Sequence, residues 1–407
     1  MLPLLLLKEV RNATAYFAAR GLIGATHLTT IVRHEDNQNQ LEAVALQMTP
    51  GIGVKGAVHL LETFGDARGV FAASFDELTG RAALRPDLAR ALVERKAFAQ
   101  AEKELRYCAR HGLTVVASTD AAYPALLREI PDYPPVLYVQ GDPAVLHRRC
   151  LSIVGTRNAT PYGQVVCNRL VEGLAERVPD LCIVSGLAFG IDAAAHRAAL
   201  AADVPTVGVL TTALPEVTPA QHTALARDLL SRGGALVTET HSQMPQKGTG
   251  YLARNRIIAG LSAGCIVVES PVNGGSLHTA ACADDYHRVV MAVPGRITDT
   301  ASRGTNHLIY SHKAQIVQSA GDVIRELLWD IGPDAATLRP NRSDDPLTAE
   351  EEQLLRRFPD ADPIAVEELA RTAGLDTGAL TALLIGLELS GAVRQLPGNR
   401  YLKTSRS

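Results

Sequence analysis

Six short β-rich runs alternate with helical patterns between residues 135 and 330, and this alternation constrains the fold of the 407-residue chain more than any other feature. Each run is apolar, and the segments between the runs carry apolar residues at helical spacing. Strands and helices that alternate in this way form a parallel sheet with helices on both faces. The sequence therefore predicts an α/β fold with an extended Rossmann-like domain over 135–330. The runs are LSIVG (151–155), CIVSG (182–186), TVGVL (206–210), GALVTE (234–239), GCIVVES (264–270) and VVMAVPG (289–295).

The segments on either side of this region predict further domains. Residues 1–40 form an apolar leader that ends in polar residues, and we expect it to be poorly ordered. Residues 41–130 carry helical spacing and predict a helical domain of the helix-hairpin-helix or SAM type. The stretch 331–346 has the Pro, Asp and Asn content of a linker. Three helical patterns followed by two β-like runs over 347–403 predict a winged helix.

Composition and charge exclude several classes of protein. The 40 Lys and Arg residues are balanced by 43 Asp and Glu residues, so any phosphate binding must come from a local patch. The six cysteines show no C-x-x-C spacing, which supports neither a zinc site nor a disulfide framework. No window reaches the roughly 18 apolar residues of a membrane span, and the start lacks the features of a signal peptide. We expect a cytoplasmic protein with no metal and no cofactor.

Three glycine-containing turns between a strand and a helix are candidate anion sites. The carboxyl ends of parallel strands meet at one edge of the sheet, where ligands bind in open α/β folds. Helix N-termini there present free N–H groups and partial positive charge, which suit phosphate. For the second turn, a purely structural tight turn is an equal alternative. The candidate residues are Gly155, Thr156 and Arg157 of the first turn, Ser185, Gly186 and Gly190 of the second, and Gly274, Gly275 and Ser276 of the third.

The segment KGTGYLARNRIIAGLS (247–262) carries the clearest nucleic-acid signal. Cations supply phosphate contacts and an exposed ring stacks on a base, a combination typical of single-stranded nucleic acid binding. The segment contains no acid, which disfavours the alternative of a surface helix with salt bridges. Its candidate DNA-binding residues are Lys247, Gly250, Tyr251, Arg254, Asn255 and Arg256. In the helix that follows the second turn, Asp192 is expected to cap the helix, and His196 is expected to lie on its polar side as a structural hydrogen-bonding residue.

Two further segments carry candidate interaction residues. Gly51 and Gly53 permit a tight helical hairpin, and its amides with Lys55 could contact a DNA phosphate, although the hairpin could equally only pack against the rest of the protein. Near residue 310, apolar side chains exceed what a sheet margin needs and predict a dimer interface. The residues of that interface are Leu308, Ile309 and Ile316, together with Val317.

The sequence resembles the DNA-processing protein A family (DprA, also called Smf). The resemblance rests on the ordered motifs VGTR, SGLAFGID..AH, RNRIIAGLS, GGSLHTA, AVPG and GTNHLI, and it covers about 41–403. It implies an extended Rossmann domain, single-stranded DNA binding, a homodimer, interaction with the recombinase RecA and protection of incoming strands in natural transformation. It also implies a DNA pocket that contains Arg157, Lys247, Tyr251, Arg254, Asn255 and Arg256, with Tyr251 where the family more often has Phe.

This chain departs from the family pattern at two places, and two other functions compete with DNA handling. TTALPEVTPAQH (211–222) replaces a glycine-containing turn, and HLIYSHKAQIV (307–317) lacks a usual Gly. The fold resembles nucleotide-cleaving phosphoribohydrolases, but PVNGGSLHTA lacks the Glu of their catalytic motif. A winged-helix transcription regulator is disfavoured because DTGALTALLIGLELSG (376–391) contains no Arg or Lys for major-groove readout. The sequence therefore predicts a non-catalytic protein.

Overall fold

The computed structural model describes residues 38–244, 250–329, 348–359, 364–389, 392–396 and 400–403. The chain divides into two compact units, the first of which ends at Trp329. The predicted leader lies outside the described residues except for 38–40, and the predicted linker lies outside them entirely. Within the described ranges, no helix is both long enough and apolar enough to cross a membrane.

The described part of the first unit opens with six helices, and local capping signals define several of their ends. Asp66 accepts a hydrogen bond from the Gly69 amide, and Ser74 forms a capping box with Glu77. Such caps satisfy amides that have no partner within the helix. The described part of α1 starts at residue 38, inside the polar stretch assigned to the leader, and Gln40 Nε2 donates to the Val115 carbonyl. The helices are α1 (38–48), α2 (Val54–Phe64), α3 (Ala67–Ala72), α4 (Phe75–Gly80), α5 (Pro86–Val93) and α6 (Phe98–Arg110).

A nine-stranded sheet forms the centre of the first unit. Its order is β1-β2-β6-β5-β4-β3-β7-β8-β9, and all neighbours from β6 to β9 are parallel. β1 and β2 add to the β6 edge as antiparallel strands. The strands are β1 (Thr114–Ala117), β2 (Val136–Gly141), β3 (Arg149–Val154), β4 (Leu181–Ser185), β5 (Thr206–Val209), β6 (Ala235–Thr238), β7 (Gly264–Val267), β8 (Val289–Ala292) and β9 (Gln315–Ile316).

All six predicted strands are present, and the predicted parallel α/β sheet is confirmed. The prediction that 41–130 is helical throughout is wrong over Thr114–Ala117, which forms β1. Four β-branched or small residues are too few to show a period, and their strand state depends on pairing with β2.

Both faces of the sheet are covered, since alternate strand residues point to opposite sides. Leu151, Ile153 and Ile183 face one helical layer, while Val154 and Val184 face the other. A third core joins the six N-terminal helices to residues at the carboxyl edge, including Leu187 and Leu210. The helices around the sheet are α7 (Ala125–Arg128), α8 (Pro161–Ala175), α9 (Ile191–Ala201), α10 (Thr223–Ser231), α11 (Tyr251–Gly260), α12 (Ser276–Asp285), α13 (Arg303–Tyr310) and α14 (Ala320–Glu326).

The second unit has the predicted winged-helix architecture. Three helices enclose a small core that contains Leu354, Leu369 and Leu380. Its antiparallel sheet has the order β10-β12-β11, in which β11 and β12 form the wing. The elements are α15 (Ala349–Leu355), β10 (Ile364–Ala365), α16 (Val366–Ala373), α17 (Thr377–Leu389), β11 (Val393–Leu396) and β12 (Arg400–Lys403).

Candidate nucleic-acid interface

Hydrogen bonds between neighbouring loops hold the predicted glycine turns at the carboxyl edge of the sheet. The Thr156 amide, just after β3, donates to the Glu269 carbonyl at 2.7 Å. The Ile191 amide, which opens α9, donates to the Thr156 carbonyl at 3.1 Å. The ends of β3, β4 and β7 therefore form one connected surface, as the strand–turn–helix pattern predicts.

Gly190 controls how closely two of these turns approach. Its φ of 76° lies in the left-handed region, and a Cβ there would stand 2.1 Å from the Thr156 carbonyl oxygen. Glycine meets both demands, because it has no side chain and populates positive φ readily. The tight turn therefore places Gly190 directly against the loop that carries Arg157.

A small pocket opens on this surface. Arg157 is exposed, and its guanidinium carbon lies 5.0 Å from the centre of the Tyr251 ring. Tyr251 is 37% exposed, and a second ring in the pocket, Phe189, is 43% exposed. The pocket thus combines an exposed cation with two partly exposed aromatic rings. It is lined by Arg157, Gly186, Ala188, Phe189, Thr211, Thr218, Pro219, Tyr251 and Arg254.

Sequence reasoning missed Phe189 and did not place the loop 211–222 at the pocket. Phe189 lies in the quoted motif SGLAFGID, and an aromatic residue inside a glycine turn was the available signal. Thr211, Thr218 and Pro219 come from the segment that departs from the family pattern. That loop nevertheless forms one wall of the pocket.

Arg254 lies at the floor of the pocket and is held by backbone carbonyls. Its Nη1 donates to the carbonyls of Gly186 at 2.6 Å and Val209 at 2.5 Å, and only 6% of the residue is exposed. Gly186 is required for this contact, since a Cβ there would stand 2.2 Å from Arg254 Nη1. The side chain therefore ties the ends of β4 and β5 together.

The buried carboxylate of Asp192 faces the charge of Arg254. Burial raises the pKa of Asp192, while Arg254 and the amides of Ala188 and Gly186 act to lower it. The expectation that Asp192 caps its helix is wrong: Gly190 occupies the cap position, and Asp192 accepts from the Gly186 amide at 3.1 Å. The turn, the helix and Arg254 are thereby linked through one carboxylate.

The prediction that His196 lies on the polar side of its helix is also wrong. His196 is fully buried rather than on the polar side of α9, and its Nδ1 lies 2.7 Å from Thr206 Oγ1. Burial lowers the pKa of His196 to about 3, so the imidazole is neutral at physiological pH. We assign this histidine a structural role.

Arg256 has acidic partners that its own segment does not contain. Its Nη2 lies 2.6 Å from Glu239 Oε2, and its Nε lies 3.7 Å from Asp132 Oδ2. The premise that the cations of this segment face no acid is therefore wrong for Arg256, whose acids come from the residue after β6 and from the β1–β2 connection, and for Arg254, which faces Asp192. Asn255 is also buried, and its Nδ2 donates to the Gly275 carbonyl at 3.4 Å. DNA contacts by Arg254, Asn255 and Arg256 remain predictions.

Lys247 lies outside the described residues, within the stretch 245–249. The chain just before this stretch is anchored to α6. Glu104 accepts from the Ser242 amide at 2.8 Å and from Ser242 Oγ at 2.5 Å. Gly250 and Tyr251 resume the described chain at the start of α11. The N-terminal helices thus fix one end of the segment that carries Lys247.

The predicted helical hairpin packs against the sheet domain. Gly51 has a φ of 87°, and a Cβ there would stand 2.8 Å from Leu88 Cδ2, so the turn requires glycine. Ile52, Gly53 and Val54 line a second cavity beside the carboxyl edge, while Lys55 is exposed. These positions agree with the packing alternative, and a DNA contact by Gly51, Gly53 or Lys55 stays a prediction.

The β9 margin is less apolar than its sequence suggests. Leu308 and Val317 are buried in the core of this chain, so the expectation that they add apolar surface is wrong. Ile309 is half-buried against the same core. Tyr310 and Ile316 supply the exposed apolar surface, at 83% and 48%.

No cluster of three or more His, Cys, Asp or Glu residues in the described part of the chain has an arrangement that could hold a metal ion. The buried acids at the carboxyl edge interact with groups of the protein itself. Glu269 accepts from the Thr160 amide at 2.9 Å and from Thr160 Oγ1 at 2.5 Å. Glu239 and Asp192 face arginines, as described above. These acids therefore hold the loops of the edge through contacts within the protein.

Comparisons with known proteins agree with this architecture. The family described as DNA recombination-mediator protein A matches residues 114–328, and the DprA winged helix domain matches residues 339–399. Protein Smf of Escherichia coli is 36% identical over 290 residues, which cover 70% of this chain and 76% of that protein. A putative DNA processing protein DprA of Mycobacterium tuberculosis is 35% identical over 320 residues, or 75% of this chain and 81% of that one.

A solved structure has the same fold. The X-ray structure of DNA processing protein A from Streptococcus pneumoniae is 31% identical, with a TM-score of 0.61, and the match covers 70% of this chain and 97% of that one. The motifs, the sheet and the winged helix thus agree with the sequence matches. The chain belongs to the DNA recombination-mediator protein A family, also known as DprA or Smf.

Proposed function

We propose that this protein binds single-stranded DNA, without catalysis, in the pocket between Arg157 and Tyr251. The observation that carries the proposal is the exposed guanidinium of Arg157 beside two accessible rings, Tyr251 and Phe189. Cations that follow the phosphates and aromatic faces that stack on bases are the two components of single-strand sites. Membership of a DNA recombination-mediator family supports DNA as the ligand.

The rings favour a single strand over a duplex. Tyr251 and Phe189 offer ring faces, and a base can stack on them only when it has left its own stack. In a duplex both faces of each base are covered by neighbouring pairs, so only the phosphate contacts of Arg157 would remain. We therefore propose discrimination by stacking rather than by reading of base sequence.

The neighbouring acids support a binding role rather than an enzymatic one. Glu269 caps α8 through Thr160, Asp192 faces Arg254, and Glu239 pairs with Arg256. A general base needs a carboxylate that can reach the proton it removes. These carboxylates are instead occupied by contacts within the protein.

The ligand class is tested by fluorescence anisotropy with one labelled oligonucleotide, free and annealed to its complement. The proposal predicts that the full chain binds the single strand more tightly than the duplex by about five- to 150-fold, the effect of stacking one base. Equal affinity for the two forms would contradict the stacking role. Release of base or nucleotide fragments from the same oligonucleotides would instead favour the phosphoribohydrolase alternative.

We further propose that two copies pair at the β9 margin, as the family resemblance implies. Ile316 and Tyr310 are exposed beside the edge of β9 that pairs with no strand in the described ranges, and such an edge can extend a sheet into a second chain. Pairing would bring two pockets onto one assembly, so a long strand that spans both would gain avidity. RecA loading, natural transformation and a cytoplasmic location belong to this proposal on the family resemblance alone.

Replacement of Ile316 by Asp is expected to convert a dimer into a monomer, since it places a charge in the apolar contact. Light scattering should give half the mass of the wild type, and the variant should lose the gain in affinity on long strands. Val93→Asp is the matched control, because Val93 is 47% exposed and Ile316 is 48% exposed. A wild type that is monomeric at micromolar concentration with DNA present would contradict the dimer.

We propose an accessory role for the winged helix. The described helix α17, TGALTALLIGLEL, contains no Arg or Lys, the side chains that most often read guanine in the major groove. Arg400 and Lys403 lie on β12 instead. The main affinity for single strands should therefore reside in the first unit.

A further inference from the structure

A histidine from a distant part of the chain holds the turn 186–190, which carries Phe189. His222 Nδ1 lies 2.7 Å from the Leu187 carbonyl oxygen, and both residues are buried. A carbonyl oxygen can only accept a hydrogen bond, so Nδ1 carries a proton and donates it. His222 ends the loop 211–222. Since this loop and the turn both line the pocket, the hydrogen bond joins two of its walls.

The same imidazole also contacts the Phe189 ring. The two ring centres are 4.8 Å apart and the ring planes are inclined by 58°. This distance lies within the roughly 4.5–7 Å over which aromatic pairs attract. Phe189 is 43% exposed, whereas His222 is 5% exposed. The buried histidine therefore touches the turn at two points, the backbone of Leu187 and the ring that is open to solvent.

The conformation of the turn depends on such support. Leu187 has a φ of 55°, in the left-handed region that residues with a side chain disfavour. Gly186 and Gly190 lie on either side of the Leu187–Phe189 segment, and glycine allows the backbone many other conformations. A buried carbonyl without a partner is costly. The hydrogen bond from His222 therefore favours the one conformation in which the Leu187 carbonyl is paired.

His222 is itself fixed by its surroundings. Its backbone amide donates to the Pro219 carbonyl at 2.9 Å, and α10 begins at the next residue, Thr223. Earlier in the loop, Tyr107 of α6 donates through Oη to the Leu214 carbonyl at 3.1 Å. Leu214 is buried in the core that contains the N-terminal helices. The loop therefore gives the imidazole a rigid base.

We propose that His222 is a positioning residue, which acts on the bound strand through Phe189. The inference rests on the proposed single-strand function and names the residue that prepares one of its stacking rings. A ring that is already held in place loses less conformational freedom when a base stacks on it, and this raises affinity. His222 therefore strengthens the contact with bases and has no part in the phosphate contact of Arg157.

The test separates contacts with bases from contacts with phosphates. Two strands of equal length and charge are compared by fluorescence anisotropy, one of thymidine and one of abasic residues. The base ratio, defined as the affinity for the thymidine strand divided by that for the abasic strand, is measured for each full-length variant. Phe189→Ala should lower the base ratio by about fivefold or more, the effect of losing one stacked base.

His222→Asn and His222→Gln form a matched pair of variants. The asparagine amide nitrogen takes the position of Nδ1 and keeps a donor for the Leu187 carbonyl. The glutamine amide nitrogen lies one bond further out and leaves that carbonyl without its partner. We expect His222→Asn to keep the base ratio of the wild type within about twofold, and His222→Gln to lower it about as much as Phe189→Ala does.

The double variant Phe189→Ala with His222→Gln shows whether the histidine acts through the ring. Substitutions that act through one contact are not additive. Adding His222→Gln to Phe189→Ala should therefore change the affinity for either strand by no more than about twofold. A further loss as large as that in the single variant would show that His222 supports the fold in general, and it would overturn the proposal.

The wild type supplies a measurement that does not depend on how the variants fold. NMR of the histidine nitrogens should show His222 protonated at Nδ1, and a proton at Nε2 alone would overturn the proposal. A wild type that binds thymidine and abasic strands equally would overturn the stacking function and the positioning role together. An unchanged base ratio in His222→Gln would overturn only the positioning role.

Discussion

Replacing Arg254 by Ala is expected to lower the free energy of unfolding of the first unit by about 3–6 kcal/mol, since a hydrogen bond to a charged group contributes about 1.5–3 kcal/mol and Arg254 donates two to buried carbonyls. Asp192 would remain buried without the charge that opposes its desolvation. The carbonyls of Gly186 and Val209 would lose the guanidinium that accounts for one hydrogen bond to each. Urea denaturation followed by circular dichroism measures the effect.

Two controls identify the cause of this destabilisation. Arg157→Ala removes an exposed cation of the same pocket, and its denaturation midpoint should match that of the wild type. The double variant Arg254→Met with Asp192→Asn removes both charges and should recover part of the lost stability, because no uncompensated charge stays buried. An unchanged midpoint for Arg254→Ala would contradict the structural role of this arginine. The DNA affinity of the Arg254→Ala variant is therefore measured at a temperature at which its denaturation curve shows the protein to be folded.

Replacing Gly190 by Ala is expected to reduce both stability and DNA affinity. The φ of 76° costs about 1–2 kcal/mol for a residue with a side chain, and the new Cβ would stand 2.1 Å from the Thr156 carbonyl oxygen. That contact forces the Thr156–Arg157 loop away from α9. Loss of the Arg157 phosphate contact should weaken single-strand binding by about tenfold or more, the effect of one charged hydrogen bond.

Gly80→Ala is the matched control. Gly80 lies at the end of α4, outside the pocket, and a Cβ there meets nothing within 4 Å. This variant should fold and bind like the wild type. If Gly190→Ala behaved in the same way, the close approach of the two turns would not be needed for binding.

The sequence predicted the features that depend on local pattern. The six strand runs, the glycine turns after β3 and β4, and the order of the winged helix follow from periodicity and turn chemistry over a few residues. A pocket that contains both Arg157 and Tyr251 was implied by the family resemblance, and the structure brings these two side chains together.

The errors concern contacts between residues distant in sequence. Arg256 seemed unpaired because its acid partners, Asp132 and Glu239, lie 124 and 17 positions earlier in the chain. His196 has a helical neighbourhood of alanines on several sides, so the pattern did not identify the face that is buried against Thr206. Tertiary packing decides such burial, and a window of a few residues contains no information about it.

The cavity beside the pocket also depends on contacts between residues that are distant in sequence. Ile52 and Val54 precede Glu239 by more than 180 positions, and only the packing of the hairpin on the sheet brings them to one wall. The glycines of the hairpin signalled a tight turn, which is present at Gly51. Nothing in that segment indicated which surface the turn would face.

The central claim is that Arg157 contacts a phosphate of a single strand, and the salt dependence of binding tests it most directly. Removing one phosphate contact lowers the slope of log K against log salt by about 0.7 for a single strand. Arg106→Ala is the control, since Arg106 is an exposed arginine on α6, away from the pocket. The account predicts a slope about 0.7 shallower for Arg157→Ala and an unchanged slope for Arg106→Ala. An Arg157→Ala protein with the affinity and slope of the wild type would contradict it.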